Sequence, residues 1–81
     1  MKVTIRYFAS IREAVGVPEE SVELEDSASL EVLKGCLNQR HPKIKNYWDF
    51  AILSVNRTYA KSDIILKEGD EVGILPPISG G

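Results

Sequence analysis

The sequence predicts an α+β domain in which one main helix packs across one face of a mixed β-sheet. Apolar and polar residues alternate near both ends of the chain, as they do in strands that bury one face. Between those ends, one stretch repeats its apolar residues at helical spacing. A length of 81 residues is enough for one small domain with a single core.

Composition narrows the class of protein. The net charge of -2 is too small to indicate a strongly acidic or basic partner, and the Lys and Arg residues form no stripe that would bind nucleic acid. Cys36 is the only cysteine, so no internal disulfide can form, which fits a reducing compartment. Because the sequence has neither a bilayer-spanning apolar run nor a signal peptide, we expect a cytoplasmic protein that binds neither nucleic acid nor membrane.

The first strand is predicted over residues 2–8, and its buried face is formed by Val3, Ile5 and Tyr7. Ser10 and Glu13 have the spacing of a capping box, and Gly16 is a suitable stop, so a short helix should lie between them. Residues 21–25 alternate again with their acidic side chains outward, as expected for an edge strand that is protected from pairing.

The main helix is predicted between Ser29 and Pro42. Ser29 can cap its first turn, and Glu31 in that turn carries the charge that the helix dipole favours. The predicted apolar stripe steps by three and four residues through Leu30, Leu33, Cys36 or Leu37, and Arg40. Gly35 lies inside this helix, where its missing side chain would permit close approach to the sheet. The helix ends at His41, because a residue that precedes proline avoids the α region.

The second half of the chain predicts strands at residues 51–55, 58–60 and 71–75. The Asn56-Arg57 pair forms the turn between the first two strands, since Asn tolerates a positive φ. Residues 67–70 form the turn before the last strand, which points Val72 and Ile74 inward. We expect the apolar residues of two further stretches to cover the core, namely 43–50 and 62–66.

The order of these elements predicts the topology. The long chain between the first and last strands permits a crossover, so these two strands can lie parallel at the centre of the sheet. Strand, short helix, strand, helix and three further strands is the order of the β-grasp, or ubiquitin-like, fold. We assign residues 1–75 to this domain and residues 76–81 to a flexible C-terminal tail that ends in Gly-Gly.

The sequence holds no conventional catalytic constellation. His41 is the only histidine and, beside a helix-ending proline, is expected to be a solvated cation at the helix end. Cys36 is either a buried structural thiol or a reactive one. One His and one Cys cannot make a zinc site, so we expect no metal and no cofactor bound by this chain.

The tail is the candidate reactive segment. Pro76 and Pro77 hold its start extended, while Gly80 and Gly81 leave its tip slim and free to rotate. This combination suits a terminal carboxylate that must enter a narrow site in another protein. A frayed terminus is the alternative interpretation.

An apolar patch is expected at the root of the tail. Leu75 has the opposite parity to the inward residues of its strand, and Phe8 ends the neighbouring strand with the same parity. Together with Ile78, these side chains would form an exposed surface of the kind that binds partners. The alternative is that a loop at residues 47–50 covers them.

Several of these stretches resemble the small sulfur-carrier subunit of molybdopterin synthase. They are Phe8-Ala9, Arg12-Glu13, Val55-Asn56, Leu66 with Gly69-Asp70-Glu71-Val72, and Pro76-Pro77-Ile78-Ser79-Gly80-Gly81. The C-terminal block is the specific part of the resemblance. The related sulfur carrier for thiazole synthesis shares the fold and the Gly-Gly end, and it is the second match.

The resemblance implies a mechanism. An E1-like enzyme would use ATP to adenylate the Gly81 carboxylate, and a persulfide would then convert it to a thiocarboxylate. The charged tail would enter the large subunit of molybdopterin synthase, in a heterotetramer, and give its sulfur to a pyranopterin precursor of the molybdenum or tungsten cofactor. The residues implied in partner binding are Phe8, Leu75, Pro76, Pro77, Ile78 and Ser79, with Gly80 in the tail. A ubiquitin-like modifier that forms isopeptide bonds and a binding module with a passive tail are the other hypotheses.

Overall fold

A computed structural model describes residues 1–77, and residues 78–81 lie outside the described part. The chain forms, in order, β1 (Lys2–Tyr7), α1 (Ala9–Val15), β2 (Glu19–Glu23), α2 (Leu30–Arg40), a 3-10 helix (Pro42–Tyr47), β3 (Ile52–Val55), β4 (Thr58–Tyr59) and β5 (Glu71–Leu75).

The five strands form one mixed sheet in the order β2-β1-β5-β3-β4. Strands β1 and β5 pair in parallel at its centre, and all other pairs are antiparallel. The predicted central pair of first and last strands is therefore confirmed, and β2 lies at an edge as expected.

The core lies between the sheet and α2. Its helical side is Leu30, Leu33 and Leu37, and its sheet side includes Val3, Ile5, Val72 and Ile74, all buried. A helix of 11 residues is marginal by itself in water, so burial of this stripe supplies most of the stability of α2. Ser29 caps the helix as predicted, because its Oγ accepts a hydrogen bond of 3.2 Å from the Val32 amide.

Helix α1 begins earlier than its capping box predicts. It starts at Ala9 with Phe8 as the N-cap residue, and no side chain caps it. The prediction that Ser10 begins the helix is therefore wrong, because the chain turns directly out of β1. The predicted stop is confirmed, since Gly16 has φ 95° and its amide donates to the Arg12 carbonyl at 2.8 Å.

Strand β2 also begins earlier, at Glu19 rather than at residue 21. Its register with β1 explains the difference, because pairing runs from Lys2 opposite Glu23 to Arg6 opposite Glu19. The alternation that buries Val22 places Glu20 on the same, core-facing side of the sheet.

Two expectations about packing are wrong. Gly35 is exposed, and a methyl group added there would meet no atom within 4 Å, so it permits no close approach to the sheet. In residues 62–66 only Leu66 is buried, while Ile64 and Ile65 are exposed. The adjacent triplet cannot point in one direction along an extended chain, so only one of its side chains reaches the core.

Candidate functional site

The face of the sheet opposite α2 carries a groove of about 400 Å³, which we call the sheet-face groove. Four of the side chains that line it are Phe8, Arg57, Tyr59 and Leu75. The alternation of the central strands creates this face, because the residues that flank buried Ile74 in β5 point away from the core.

Gly73 leaves open the middle of the groove. It lies between Arg6 of β1 and Ser54 of β3 in the strand register. A Cβ at this position would come within 2.5 Å of the Ser54 Oγ and 3.5 Å of both Phe8 and Leu75. Glycine inside a strand usually marks a close approach of other atoms, and here it keeps the space between Phe8 and Leu75 free.

Phe8 and Leu75 lie together, as their parity predicts. The Phe8 side chain is 38% exposed and Leu75 is half-buried, and both line the groove. The alternative that residues 47–50 cover them is wrong. Tyr47 packs instead against the core, and Phe50 contacts Tyr47 edge to face while remaining exposed.

The tail leaves the sheet beside this groove. Pro76 and Pro77 follow β5 directly, with Pro76 half-buried and Pro77 exposed. The remaining predicted site residues lie outside the described part of the chain, and these are Ile78, Ser79, Gly80 and Gly81.

Tyr59 is a groove residue that we did not predict. It is 80% exposed and stands opposite Ser54 in the β3–β4 pair, so it shares the open face. The signal that could have found it is its even spacing from Arg57 after a predicted tight turn, although so short a strand gives little periodicity to read.

The groove also holds three charged side chains. Arg6 Nη1 and Glu71 Oε1 form an ion pair of 3.5 Å across the parallel strands. Arg57 lies in the β3–β4 turn and forms no hydrogen bond or ion pair with any side chain in residues 1–77. The groove is thus apolar around Phe8 and Leu75 and positively charged at the Arg57 edge.

A cluster of polar side chains lies on the core-facing side of the sheet, where the edge strand β2 meets the end of α2. Tyr7 donates to Glu20 Oε2 at 2.6 Å, His41 Nε2 lies 2.5 Å from the same oxygen, and Arg40 donates to Oε1 at 2.6 Å. We call these four residues the Glu20 cluster.

Burial by itself raises the pKa of the Glu20 carboxyl, but the hydrogen bonds from Tyr7, His41 and Arg40 outweigh it and hold that pKa below its ordinary value. Burial, followed by the bond to Glu20, raises the pKa of the Tyr7 hydroxyl. The prediction that the His41 side chain is solvated is wrong, because its ring is half-buried between Glu20 and the edge of Tyr7.

The remaining candidate residue from the sequence is Cys36. Cys36 is half-buried and packs against the core, as a structural thiol would. In residues 1–77 no group of three or more His, Cys, Asp or Glu side chains is placed to hold a metal ion. None of the helices within the same range has the length and apolar character to cross a membrane.

Comparison with known proteins decides the family. The model of the ThiS family matches residues 5–81. This chain belongs to the ThiS family. A relative from Chlamydomonas reinhardtii, named molybdopterin synthase sulfur carrier subunit, is 37% identical over 83 residues, which cover 100% of both chains.

Solved structures agree with this family assignment. A Pyrococcus furiosus structure, assigned there as subunit 1 of a molybdopterin converting factor, has a TM-score of 0.87 and 36% identity over 96% of this chain and 99% of its own. The small archaeal modifier protein 1 of Methanosarcina acetivorans has a TM-score of 0.82 and 28% identity over 99% of this chain and 96% of its own. The predicted β-grasp fold is confirmed.

Proposed function

We propose that this chain is the sulfur-carrier subunit of a molybdopterin synthase and that its Gly81 carboxylate carries the sulfur. The observation that carries the proposal is the path of β5. This central strand lines the sheet-face groove and continues directly into Pro76-Pro77 and the Gly80-Gly81 end. A partner that docks on the groove is therefore placed beside the root of the reactive tail.

In this proposal, the catalytic groups belong to the partner proteins and not to this domain. The one histidine is bound within the Glu20 cluster, and the one cysteine packs against the core. The chain supplies recognition through its groove and a reacting carboxylate at its end. The names of its relatives support this division of labour, since they describe a subunit and a carrier.

Charging of the tail begins with ATP, which belongs to an E1-like activating enzyme. A Gly81 carboxylate oxygen attacks the α-phosphorus of ATP, pyrophosphate leaves, and an acyl adenylate forms. The terminal sulfur of a protein persulfide then attacks the Gly81 carbonyl carbon and displaces AMP. A thiol cleaves the resulting acyl disulfide at its S–S bond, which leaves the thiocarboxylate on Gly81 and a disulfide on the donor.

Delivery requires a second partner, the large subunit of molybdopterin synthase. Two carriers and two large subunits form a heterotetramer in which each tail reaches one active site. The thiocarboxylate sulfur is negatively charged and nucleophilic, and it attacks the pyranopterin precursor. Glycine at positions 80 and 81 removes any Cβ that would obstruct a narrow entrance.

The proposal predicts that sulfur is added to this protein only at the terminal carboxylate of the tail. Incubation with the activating enzyme, ATP and a sulfur source should replace one oxygen of the protein by sulfur, measured by intact-protein mass spectrometry. Deletion of Gly81 or the change Gly80→Val should abolish this mass change, because the terminal carboxylate is then one residue too short to reach the activating site or is obstructed by a side chain. Both variants should retain the thermal unfolding transition of the parent protein.

A matched glycine serves as the control. Gly35 is exposed on α2 with no atom within 4 Å of an added Cβ, so Gly35→Ala should charge as the parent protein does. If the parent protein gains no sulfur in the presence of an activating enzyme that charges another carrier, the sulfur-carrier proposal is rejected.

Protein modification is the second candidate, favoured by the likeness to small archaeal modifier protein 1. The same adenylated Gly81 would then be attacked by a lysine amine of a target protein to form an isopeptide bond. Peptide mass spectrometry of cell extract would detect Gly80-Gly81 attached to lysines. Such conjugates would establish this activity, and thiocarboxylate without conjugates would support the carrier alone.

A further inference from the structure

We propose that Arg57 determines partner specificity at the sheet-face groove by binding a carboxylate of the large subunit. This inference rests on the proposed function and adds the chemistry of the partner, which must present an acidic side chain beside the apolar group that enters the groove. Three features of the described residues support it: the backbone of the β3–β4 turn, the bonds that hold the turn, and the balance of charge in the groove.

The backbone of the turn is unfavourable for arginine. Both central residues have positive φ angles, 51° for Asn56 and 69° for Arg57. Tight hairpin turns of this kind favour Asn followed by Gly, because glycine has no Cβ to crowd the backbone. Arginine at the second position bears a local conformational cost, and such residues are concentrated at functional sites.

Hydrogen bonds of Asn56 with Asp70 and Glu71 hold the turn in place. Asn56 donates through Nδ2 to Asp70 Oδ1 at 2.9 Å, and its Oδ1 accepts from the Glu71 amide at 3.0 Å. The Asn56 amide donates to the Glu71 carbonyl at 2.7 Å. These bonds fix the turn to the start of β5, so the backbone that presents Arg57 is pre-organised for binding.

Among residues 1–77, no acidic side chain compensates the charge of Arg57. Glu71 pairs with Arg6 at 3.5 Å. Asp70, the carboxylate that contacts the turn, accepts from Asn56 through one oxygen and from the Lys67 amide through the other. Arg57 therefore lines the groove beside Tyr59 as a guanidinium with no acidic partner in residues 1–77.

A carboxylate is the group that fits this position. The guanidinium presents a planar fork of donors that matches the two oxygens of a carboxylate. A charge at the edge of an apolar groove contributes mainly to specificity and to the rate of association. The occupant that we infer is therefore an acidic side chain next to an apolar anchor, on the large subunit.

The test compares Arg57→Gly with the parent protein in binding to the purified large subunit from the same organism, by isothermal titration calorimetry at low and at physiological salt. Removal of the charge should weaken binding about threefold to tenfold at low salt, with a smaller difference at higher salt. The melting temperature should rise, because glycine adopts the turn without strain. Arg57→Lys keeps the charge but loses the planar fork, so its affinity should lie between that of Arg57→Gly and that of the parent protein.

Lys45→Gln provides the control, because Lys45 is an exposed cation on the 3-10 helix and does not line the groove. Its affinity should match that of the parent. Equal affinities of Arg57→Gly and the parent, or a fall in melting temperature of Arg57→Gly, would overturn the role of Arg57 and leave the sulfur-carrier proposal standing. If the parent protein itself does not bind the large subunit, both proposals fail.

Discussion

Glu20 illustrates how a single residue acquires its role from its surroundings. Three side chains donate to it from β1, from the end of α2 and from the residue that follows α2. These bonds stabilise the charged carboxylate more than burial destabilises it, so its pKa is lower in the folded than in the unfolded protein. Folding is therefore favoured by the ionised form of Glu20.

This linkage predicts an acid-sensitive contribution to stability. A carboxyl group whose pKa is lowered by folding stabilises the protein above its unfolded pKa, near 4.5, and loses that contribution as pH falls through the lower folded value. Glu20→Gln should reduce the free energy of unfolding by about 1 to 3 kcal/mol at neutral pH, since it removes charged hydrogen bonds. The difference from the parent should shrink as pH falls below about 4.5, measured by urea unfolding across pH.

Glu19→Gln is the matched control, because Glu19 is the exposed neighbour on the same strand. Its stability should follow the parent protein at every pH. A loss for Glu20→Gln that persists undiminished in acid would mean that the substitution disturbs packing and that the charge of Glu20 contributes nothing.

At the scale of elements, two stretches that carry the family resemblance are joined by hydrogen bonds. Asn56 belongs to the turn after β3, and Asp70 with Glu71 belongs to the turn and strand before the tail. Their hydrogen bonds join the β3–β4 hairpin to the beginning of β5. The motif residues therefore build the scaffold from which the tail departs.

Helix α2 provides the prediction at this scale. Leu37 is fully buried in the core, so Leu37→Ala should lower the free energy of unfolding by about 2 to 5 kcal/mol through lost burial and a cavity. For a domain whose free energy of unfolding is about 5 to 15 kcal/mol, this loss should strongly lower the urea concentration at the midpoint of unfolding.

Val32 offers the control on the same helix, because its side chain is 54% exposed. Val32→Ala should change the free energy of unfolding by no more than about 0.5 kcal/mol. Equal effects of the two substitutions would show that α2 does not pack through the Leu37 face in solution.

At the scale of the whole molecule, the two faces of the sheet differ in what they contact. One face carries the core beneath α2, and the other carries the sheet-face groove beside the tail. Because β5 contributes to both faces and then continues into Pro76 and Pro77, a partner that docks on the groove, as we propose, would lie beside the start of the tail.

This separation predicts that binding and stability respond differently to Leu75→Glu. A charge in the apolar part of the groove should weaken binding to the large subunit by about tenfold or more, because the group would be desolvated without a partner. The melting temperature should fall little, since Leu75 is only half-buried. Calorimetric titration and thermal unfolding on the same samples would measure both.

Ile65→Glu is the matched control, because Ile65 is exposed and does not line the groove. Its affinity for the large subunit should equal that of the parent protein. A large fall in melting temperature for Leu75→Glu would place Leu75 in the core and remove it from the docking surface.

The sequence by itself determined the order of elements, the faces of β1 and β5, the caps at Ser29 and Gly16, and the tail as candidate reactive group. These features depend on near neighbours in the chain, through alternation, helical spacing and turn chemistry. The parity of Leu75 and Phe8 also predicted that they share a face.

Only the tertiary structure decided which side chains meet in the Glu20 cluster and which residues complete the sheet-face groove. The Glu20 cluster joins three elements, and the groove gains Tyr59 and Arg57 from a hairpin that pairs with β5 through β3. The start of α1 and the register of β2 likewise follow from pairing and turning within the sheet. Local patterns cannot specify such contacts, because strand register and side-chain packing are settled by the whole fold.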